Sequence, residues 1–224
     1  MGTLSIVATP IGNLEDITLR ALRTLKECDV IYAEDTRVIS KLLTRYEISK
    51  PLQRLDAATE TQKAKEVIER LEAGEKVVFV SDAGTPGISD PGSRLVSRVR
   101  EFSPESRIDA IPGASALTAA LSIAGLESDA FTFLGFLPHK KGRQTALKKI
   151  AATEYPVVLY ESPHRILKLL KELSAAGVTG VSIGRELTKM HEEFLSGEPL
   201  ALAERLETKG AVRGEFVVIV GRNK

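Results

Sequence analysis

The chain has 224 residues with 31 Lys and Arg against 30 Asp and Glu, and 43% of its residues are hydrophobic; this balance excludes a disordered chain and fits one large or two small globular domains. The single cysteine, Cys28, excludes a disulfide framework and cysteine-based metal clusters, which favours a reducing compartment. No apolar run approaches the roughly 18–20 residues of a membrane span, and the N-terminus has no basic segment typical of a secretory signal, so we expect a soluble cytoplasmic protein with no membrane contact.

In the first half of the chain, short apolar runs alternate with amphipathic segments. The apolar runs predict strands, and the segments with helical spacing predict helices. Thr59 is the expected cap of the third helix and Gly74 its stop, while Pro91 opens the fourth. This alternation predicts a mostly parallel sheet with helices on its faces. The predicted strands are 4–8, 30–33, 76–81 and 107–111, and the predicted helices are 17–25, 36–46, 59–73 and 91–102.

The second half alternates less regularly, which predicts a mixed sheet. A helix over residues 114–124, followed by a polar stretch, is interpreted as the bridge between two domains. We therefore expect an N-terminal α/β domain over 1–113 and a C-terminal α/β domain over 114–224. Strands are predicted at 131–136, 157–160, 181–184, 193–196 and 215–220, and helices at 143–152, 163–176 and 200–207.

Three loops that follow predicted strands are rich in Gly and Pro: the first loop (8–13), the second loop (81–92) and the third loop (111–116). Ligands of open α/β sheets bind beyond the carboxyl ends of the strands, and small residues let a ligand approach the backbone. Three such loops together favour a ligand site over ordinary turns. The chain lacks the G-x-x-x-x-G-K-[ST], G-x-G-x-x-G and G-x-S-x-G motifs, which disfavours a nucleotide triphosphatase, a common dinucleotide enzyme and a serine hydrolase.

Three polar clusters also follow strands, at 33–37, 160–165 and 184–189, and each combines acids with Arg or Lys. An acid can cap the next helix and pair with a nearby Arg, and for Glu34 and Thr36 taken singly capping is the better interpretation. Taken together, the clusters favour a functional site. The three histidines, His139, His164 and His191, lack metal-ligand spacing, so no metal site is expected.

A basic run over residues 139–149 contains five Lys and Arg side chains and no acid. Such a run binds phosphate groups or forms a solvated loop and helix face, and on composition alone the second interpretation is the better one.

Seven motifs occur in order along the chain and cover nearly all of it. Together they resemble the tetrapyrrole-methylase-like methyltransferases, and among them the enzymes that modify small-subunit ribosomal RNA. The resemblance implies a two-domain class III methyltransferase fold, S-adenosyl-L-methionine as cofactor, a homodimer, and methylation of a cytidine 2′-hydroxyl in 16S ribosomal RNA, free or in the assembled small subunit. The motifs are ATPIGNL (8–14), AEDTR (33–37), SDAGTP (81–86), DPG (90–92), GFLP (135–138), YESPHR (160–165) and RELTK (185–189).

The resemblance also implies residue roles. One departure from the family pattern is Ala114, where many members have Pro; the exchange of one small residue for another changes little. The implied cofactor-binding residues lie in the three loops and at the ends of two later strands. They are Pro10, Asp82, Ala83, Gly84, Thr85, Ile88, Ser115, Ala116, Glu161 and Leu187.

A ribose hydroxyl is a weak nucleophile, so a base that takes its proton is expected within the matched motifs. The candidates are Asp35, Glu161, Glu186 and Lys189, and the sequence does not choose among them. Lys189 qualifies only if its pKa is lowered by burial or a nearby cation. Arg37 is expected to position phosphate or substrate in the same site.

With the resemblance in view, the basic run becomes the expected RNA surface. Because aromatic residues make up only 5% of the chain, backbone electrostatics are expected to dominate over base stacking. The expected RNA-binding residues are Lys140, Lys141, Arg143, His164, Arg165 and Arg185.

Two other functions are weighed against this one. A methyltransferase of the same fold that acts on a tetrapyrrole or another small molecule would show no dependence on RNA. A ribosome-binding or assembly protein that has lost turnover would keep the fold without the reaction. The polar motifs argue against the first, and the intact loops argue against the second.

Overall fold

The computed structural model describes residues 1–56, 58–88, 92–126, 129–210 and 212–221. The chain divides into two compact units, Met1–Ser115 and Ala116–Lys224, so the division falls two residues after the expected one. Among the described residues, no helix is long and apolar enough to cross a membrane. The same residues contain no group of three or more His, Cys, Asp or Glu placed to hold a metal ion.

The first unit is built on a five-stranded sheet in the order β3-β2-β4-β1-β5, and every neighbouring pair is parallel. This confirms the predicted parallel sheet. Its strands are β1 (Thr3–Val7), β2 (Val30–Ala33), β3 (Leu52–Arg54), β4 (Lys76–Val80) and β5 (Arg107–Ile111), and its helices are α1 (Leu19–Glu27), α2 (Thr36–Arg45), α3 (Glu60–Glu72) and α4 (Ser93–Phe102), with a 3-10 turn at Leu14–Asp16.

The central strands of this sheet are buried on both faces. On β4, Val78 and Val80 pack with α1 and α2, whereas Val77 and Phe79 pack with α3 and α4. Helices on both faces explain why these strands read as continuous apolar runs rather than alternating ones.

The second unit contains a mixed sheet in the order β6-β7-β10-β8-β9. Only β6 and β7 are parallel, and the other neighbours are antiparallel, as expected from the less regular alternation. Its strands are β6 (Thr132–Phe136), β7 (Val157–Glu161), β8 (Val181–Arg185), β9 (Glu193–Gly197) and β10 (Phe216–Val220), and its helices are α5 (Ala116–Ile123), α6 (Arg143–Ala151), α7 (Ile166–Ala175) and α8 (Pro199–Thr208).

The two faces of β7 have different surroundings. Val157 and Leu159 belong to the core formed with α6, α7 and α8. Because side chains alternate along a strand, Glu161 lies on this helix-covered face and Tyr160 on the opposite one.

Two local predictions need correction, and a third falls outside the described residues. The short strand β3 was not predicted, because Gln53 and Arg54 give it no apolar pattern. Thr59 stands at the cap position of α3 but makes no side-chain capping bond; its hydroxyl donates to Asp56 Oδ1 instead, at 2.9 Å. Pro91 lies outside the described residues, so the described helix α4 begins at Ser93.

Candidate active site

The carboxyl edge of the first sheet holds a topological switch point between β1 and β4. From β1 the chain crosses through α1 to β2 on one side, and from β4 it crosses through α4 to β5 on the other. Crevices at such points are the usual ligand sites of open α/β sheets. The first loop and the second loop leave the sheet at this point.

The first and second loops are joined by an isolated β-bridge. Thr9 N donates to Gly84 O at 2.9 Å, and Gly84 N donates back to Thr9 O at 3.1 Å. The buried hydroxyl of Thr9 also donates to Ser81 O at 3.2 Å, which closes the second loop onto the first. These bonds fix the backbone of the two loops around Thr9 and Gly84.

The third loop joins the same cluster. Ala8 N donates to Ile111 O at 3.0 Å, and the Thr85 hydroxyl donates to Ala114 O at 3.4 Å. Gly113 packs so tightly that a Cβ there would lie 3.0 Å from the Ala8 Cβ. The structure thus brings the three Gly- and Pro-rich loops together at one edge of the sheet.

Gly84 is required at its position for two reasons. Its φ is +79°, in the left-handed region that favours glycine, and a Cβ would lie 3.3 Å from Ile11 Cγ2 and 3.6 Å from Ala114 O. Its missing side chain therefore allows the three loops to pack, and the space beside its Cα is filled by protein atoms rather than by a ligand.

The remaining expected cofactor residues of this unit differ in accessibility. Pro10 is buried, Ala83 and Ile88 are exposed, and Ser115 is half-buried at the end of the unit. Ala116, also half-buried, is the first residue of α5 in the second unit.

Asp82 links the second loop to the cluster that follows β2. Its Oδ1 accepts a hydrogen bond from Asp35 N at 2.9 Å. Asp82 therefore fixes the position of Asp35 and of the helix start behind it.

Asp35, rather than Glu34 or Thr36, is the N-cap of α2 and accepts from Arg37 N at 2.9 Å. The Arg37 guanidinium also donates from Nε to Asp35 Oδ1 at 2.9 Å and from Nη2 to Oδ2 at 2.5 Å. These bonds lower the pKa of Asp35 to about 2. A carboxylate of that pKa is a weak proton acceptor, so Asp35 is a poor candidate for the base.

Glu161, at the end of β7, lies in an ion-pair network under the helices of the second unit. Its side chain has no solvent exposure; Oε1 is 3.1 Å from Arg165 Nε and accepts from Ser162 N at 2.9 Å. Oε2 is 3.8 Å from Arg143 Nη2. A base must reach the substrate, and this carboxylate is enclosed, so the structure does not support Glu161 as the base.

Arg143 was predicted to bind RNA, and this is wrong for direct contact, because its side chain is only 4% exposed. Its Nε donates to Glu172 Oε2 at 2.7 Å, and its Nη1 donates to Pro138 O at 3.2 Å. The guanidinium thus points between the sheet and α7, away from solvent.

Arg165 is also used internally. Its Nη2 donates to Leu137 O at 2.5 Å, and its Nη1 lies 3.3 Å from His139 Nε2. With the Arg143 bond to Pro138, two guanidiniums hold successive carbonyls of the segment that precedes Lys140.

The cluster after β8 has unusual backbone geometry. Glu186 and Thr188 have φ values of +49° and +66°, on either side of the buried Leu187. Side chains rarely adopt this region, and a β-branched residue there is strained. The Glu186 carboxylate stabilises the turn, since its Oε1 accepts from Glu215 N at 3.0 Å and from Lys189 Nζ at 2.8 Å.

Neither ionisable group of this turn titrates near neutrality. Burial raises the pKa of Glu186, but the hydrogen bonds from Lys189 and from the Glu215 amide lower it by more, so the net shift is downward. Burial lowers the pKa of Lys189, but the carboxylates of Glu186 and Glu215 outweigh it and the pKa is raised. Lys189 is therefore held as a cation, which contradicts its candidacy as a neutral base.

Of the other expected RNA-binding side chains, Arg185 is half-buried, with Nε 3.4 Å from Glu193 Oε2. His164, Lys140 and Lys141 are exposed, as are Lys148 and Lys149 on α6. The exposed positive charge of the basic run is thus lysine, and its arginine is internal.

Residues 3–200 match the family described as Tetrapyrrole (Corrin/Porphyrin) Methylases. Among curated proteins, the chain is 44% identical over 221 residues to the ribosomal RNA small subunit methyltransferase I of Thermotoga maritima, covering 98% of both chains. It is 46% identical over 225 residues to the protein of the same name from Borrelia garinii subsp. bavariensis, covering 98% of this chain and 99% of the relative.

Solved structures show the same fold. The chain aligns with the uroporphyrin-III C-methyl transferase of Thermus thermophilus complexed with S-adenosyl homocysteine at a TM-score of 0.66 and 22% identity, covering 98% of this chain and 97% of that one. It aligns with diphthine synthase at a TM-score of 0.72 and 15% identity, covering 98% of this chain and 90% of that one. The names of these neighbours differ, so the fold alone does not select a substrate.

Proposed function

Because this chain belongs to the tetrapyrrole methylase family, we propose that it is a methyltransferase that uses S-adenosyl-L-methionine and acts on small-subunit ribosomal RNA. The observation that carries the proposal is the loop cluster at the switch point of the first sheet, joined by the Thr9–Gly84 bridge. The names of relatives that match this chain along nearly its whole length support the choice of substrate.

The first unit fits such a cofactor in its chemistry. The accessible parts of the cluster are small residues with open backbone, including Ala83, Pro112 and Gly113. Backbone amides and carbonyls of this kind suit the polar groups of a nucleoside and an amino acid, and no metal is needed.

The bound cofactor would supply an electrophilic methyl group on a sulfonium sulfur. The protein must therefore align the attacking oxygen with that methyl group and exclude water, and alignment of this kind accounts for a large part of a barrier. Asp35 and Glu186 have lowered pKa values and Lys189 a raised one, so none of these three is tuned as a base near neutral pH. We propose that alignment, with Arg37 exposed to contact RNA phosphate, provides most of the rate.

The proposed target is the 2′-hydroxyl of a cytidine in 16S ribosomal RNA, and the resemblance of the polar motifs supports it. We propose a cytoplasmic homodimer, because the family is commonly dimeric. Light scattering at micromolar concentration checks the assembly: the proposal expects twice the 24.3 kDa of the chain, and a monomer mass would contradict it.

The test of the activity is transfer of labelled methyl groups from S-adenosyl-L-methionine to three acceptors: small ribosomal subunits, naked 16S RNA and a free tetrapyrrole. We expect label in one or both RNA samples and none in the tetrapyrrole. Label in the tetrapyrrole alone would support the small-molecule alternative. Binding to subunits without any transfer would support the assembly-protein alternative.

A further inference from the structure

The edge strand β6 carries exposed aromatic surface beside the basic run. Three of the seven phenylalanines of the chain fall within residues 131–136. Phe136 is 53% exposed, and Leu134 and Phe131 are exposed to a similar degree. A cluster of this kind in a chain with 5% aromatic residues calls for a specific explanation.

A bulge in β6 determines where Phe136 points. Phe133 pairs with Val158, and Phe136 pairs with Tyr160, because the register shifts between Phe133 and Gly135 and leaves Leu134 as the extra residue. Val158 and Tyr160 share one face of β7, so the bulge places Phe133 and Phe136 on that face too. Without the extra residue, Phe136 would point toward the helix-covered core.

The three rings form one aromatic group. The Tyr160 ring meets Phe133 edge-on at 5.0 Å between centroids and Phe136 edge-on at 5.8 Å. Edge-on packing holds the Phe136 ring in place while more than half of its surface stays open to solvent.

The chain that follows Phe136 carries exposed positive charge at Lys140 and Lys141. Lys140 follows four residues later, so its Cα lies within about 14 Å along the chain. The segment between them is held by Arg165 and Arg143 through the carbonyls of Leu137 and Pro138. The carboxylates of Glu161 and Glu172 pair with the same two arginines, so they do not neutralise the exposed lysines of the basic run.

We propose that Phe136, supported by Tyr160, is a stacking platform for an unpaired base of the RNA substrate, with Lys140 and Lys141 contacting the flanking phosphates. An aromatic ring beside positive charge matches a single-stranded nucleic acid, which offers base faces and phosphates together. This inference rests on the proposed function and adds base stacking to an RNA surface that the sequence assigned to electrostatics alone.

The test compares binding of two fluorescently labelled probes, a short single-stranded oligocytidine and an abasic oligomer with the same ribose-phosphate backbone. Phe136→Ala should weaken binding of the oligocytidine roughly 5- to 150-fold. It should leave the salt dependence unchanged, because no phosphate contact is lost. Binding of the abasic oligomer should not respond to the substitution.

Two variants serve as controls. Phe102→Ala removes a ring that is also 53% exposed but lies at the end of α4 in the first unit, and it should leave binding unchanged. Phe136→Trp keeps a ring and should retain most of the affinity that Phe136→Ala loses.

Several results would overturn the proposal. Equal oligocytidine binding by Phe136→Ala and Phe102→Ala would show that Phe136 is not a stacking platform. If Phe136→Ala weakens binding of the oligocytidine and of the abasic oligomer equally, Phe136 shapes the loop without stacking on a base. A halved mass in light scattering for Phe136→Ala alone would identify the surface as an interface between two copies. If the wild-type protein methylates small subunits while these results hold, only the platform fails; if it neither binds nor methylates RNA, the proposed function fails with it.

Discussion

At the scale of single residues, an arginine's surroundings decide whether it binds RNA or supports the fold. Arg143 stands in the most basic stretch of the chain, yet its guanidinium is buried against Glu172. The sequence could not show this, because the partner lies 29 positions away on another helix. Asp35 and Arg37 are two positions apart, so their pairing was open to local reasoning, but capping was assigned to Glu34 and Thr36 and Arg37 was assigned to the substrate.

The pair of Asp35 and Arg37 gives a pH prediction. The pKa of Asp35 is lowered in the folded state, so the stabilisation by this pair is complete above the unfolded value of about 3.9 and is lost as pH falls toward 2. Arg37→Ala should move the Asp35 titration upward, toward about 4. The measurement is carboxyl-carbon NMR of Asp35 in both proteins, and a midpoint near 4 in the wild-type protein would contradict the pairing.

Glu161→Gln tests whether this carboxylate is structural or acts as the base. The substitution leaves two internal guanidiniums without their shared partner, and removing one member of a buried pair costs on the order of 3–5 kcal/mol in the free energy of unfolding. Urea denaturation of both proteins measures this loss in the free energy of unfolding. The matched control is Glu69→Gln, whose exposed pair with Lys65 is worth ~0.5 kcal/mol or less. Wild-type stability together with a lost reaction would restore Glu161 as the base.

At the scale of elements, the loops at strand ends could be predicted, while their internal bonds could not. Gly- and Pro-rich sequences after three strands predicted that these loops form a site, because parallel strands bring their carboxyl ends to one edge. The Thr9–Gly84 bridge depends on backbone geometry and has no sequence signal. The bulge at Leu134 was equally hidden, since residues 131–136 look like an ordinary strand.

Gly84→Val should abolish binding of S-adenosyl-L-methionine while the protein stays folded. The new side chain would meet Ile11 and the Ala114 carbonyl and force the three loops apart. Gly74→Val is the control, because Gly74 has a similar φ of +86° but no atoms within 4 Å of its Cβ position. Calorimetry measures the cofactor affinity, and circular dichroism shows whether the protein is folded. Cofactor affinity that survives Gly84→Val in a folded protein would remove the second loop from the site.

Lys140→Ala and Lys141→Ala together should flatten the salt dependence of RNA binding. Each lost phosphate contact lowers the slope of log affinity against log salt by about 1, or somewhat less on single strands. The matched control replaces Lys26 and Lys41, which are exposed on the first unit. Filter binding over a range of salt concentrations measures the slope, and a slope equal to that of the control would assign the basic run to a solvated surface.

At the scale of the whole molecule, the two sheets differ in ways that the sequence anticipated. Regular alternation of strands and helices predicted the parallel first sheet, and the irregular second half predicted a mixed one. The helix at Ala116–Ile123, interpreted from the sequence as a bridge between two domains, lies within the second unit. Substrate choice lies beyond fold-level argument, because neighbours with this fold carry different names.

We propose that this chain methylates the ribose of a cytidine in small-subunit RNA. The direct measurement is mass spectrometry of nucleosides from 16S RNA of small subunits that lack the modification, after incubation with the protein and S-adenosyl-L-methionine. We expect 2′-O-methylcytidine in the treated sample and none when the cofactor is omitted. A methyl group on a base, or on no nucleoside while a tetrapyrrole is methylated, would contradict it.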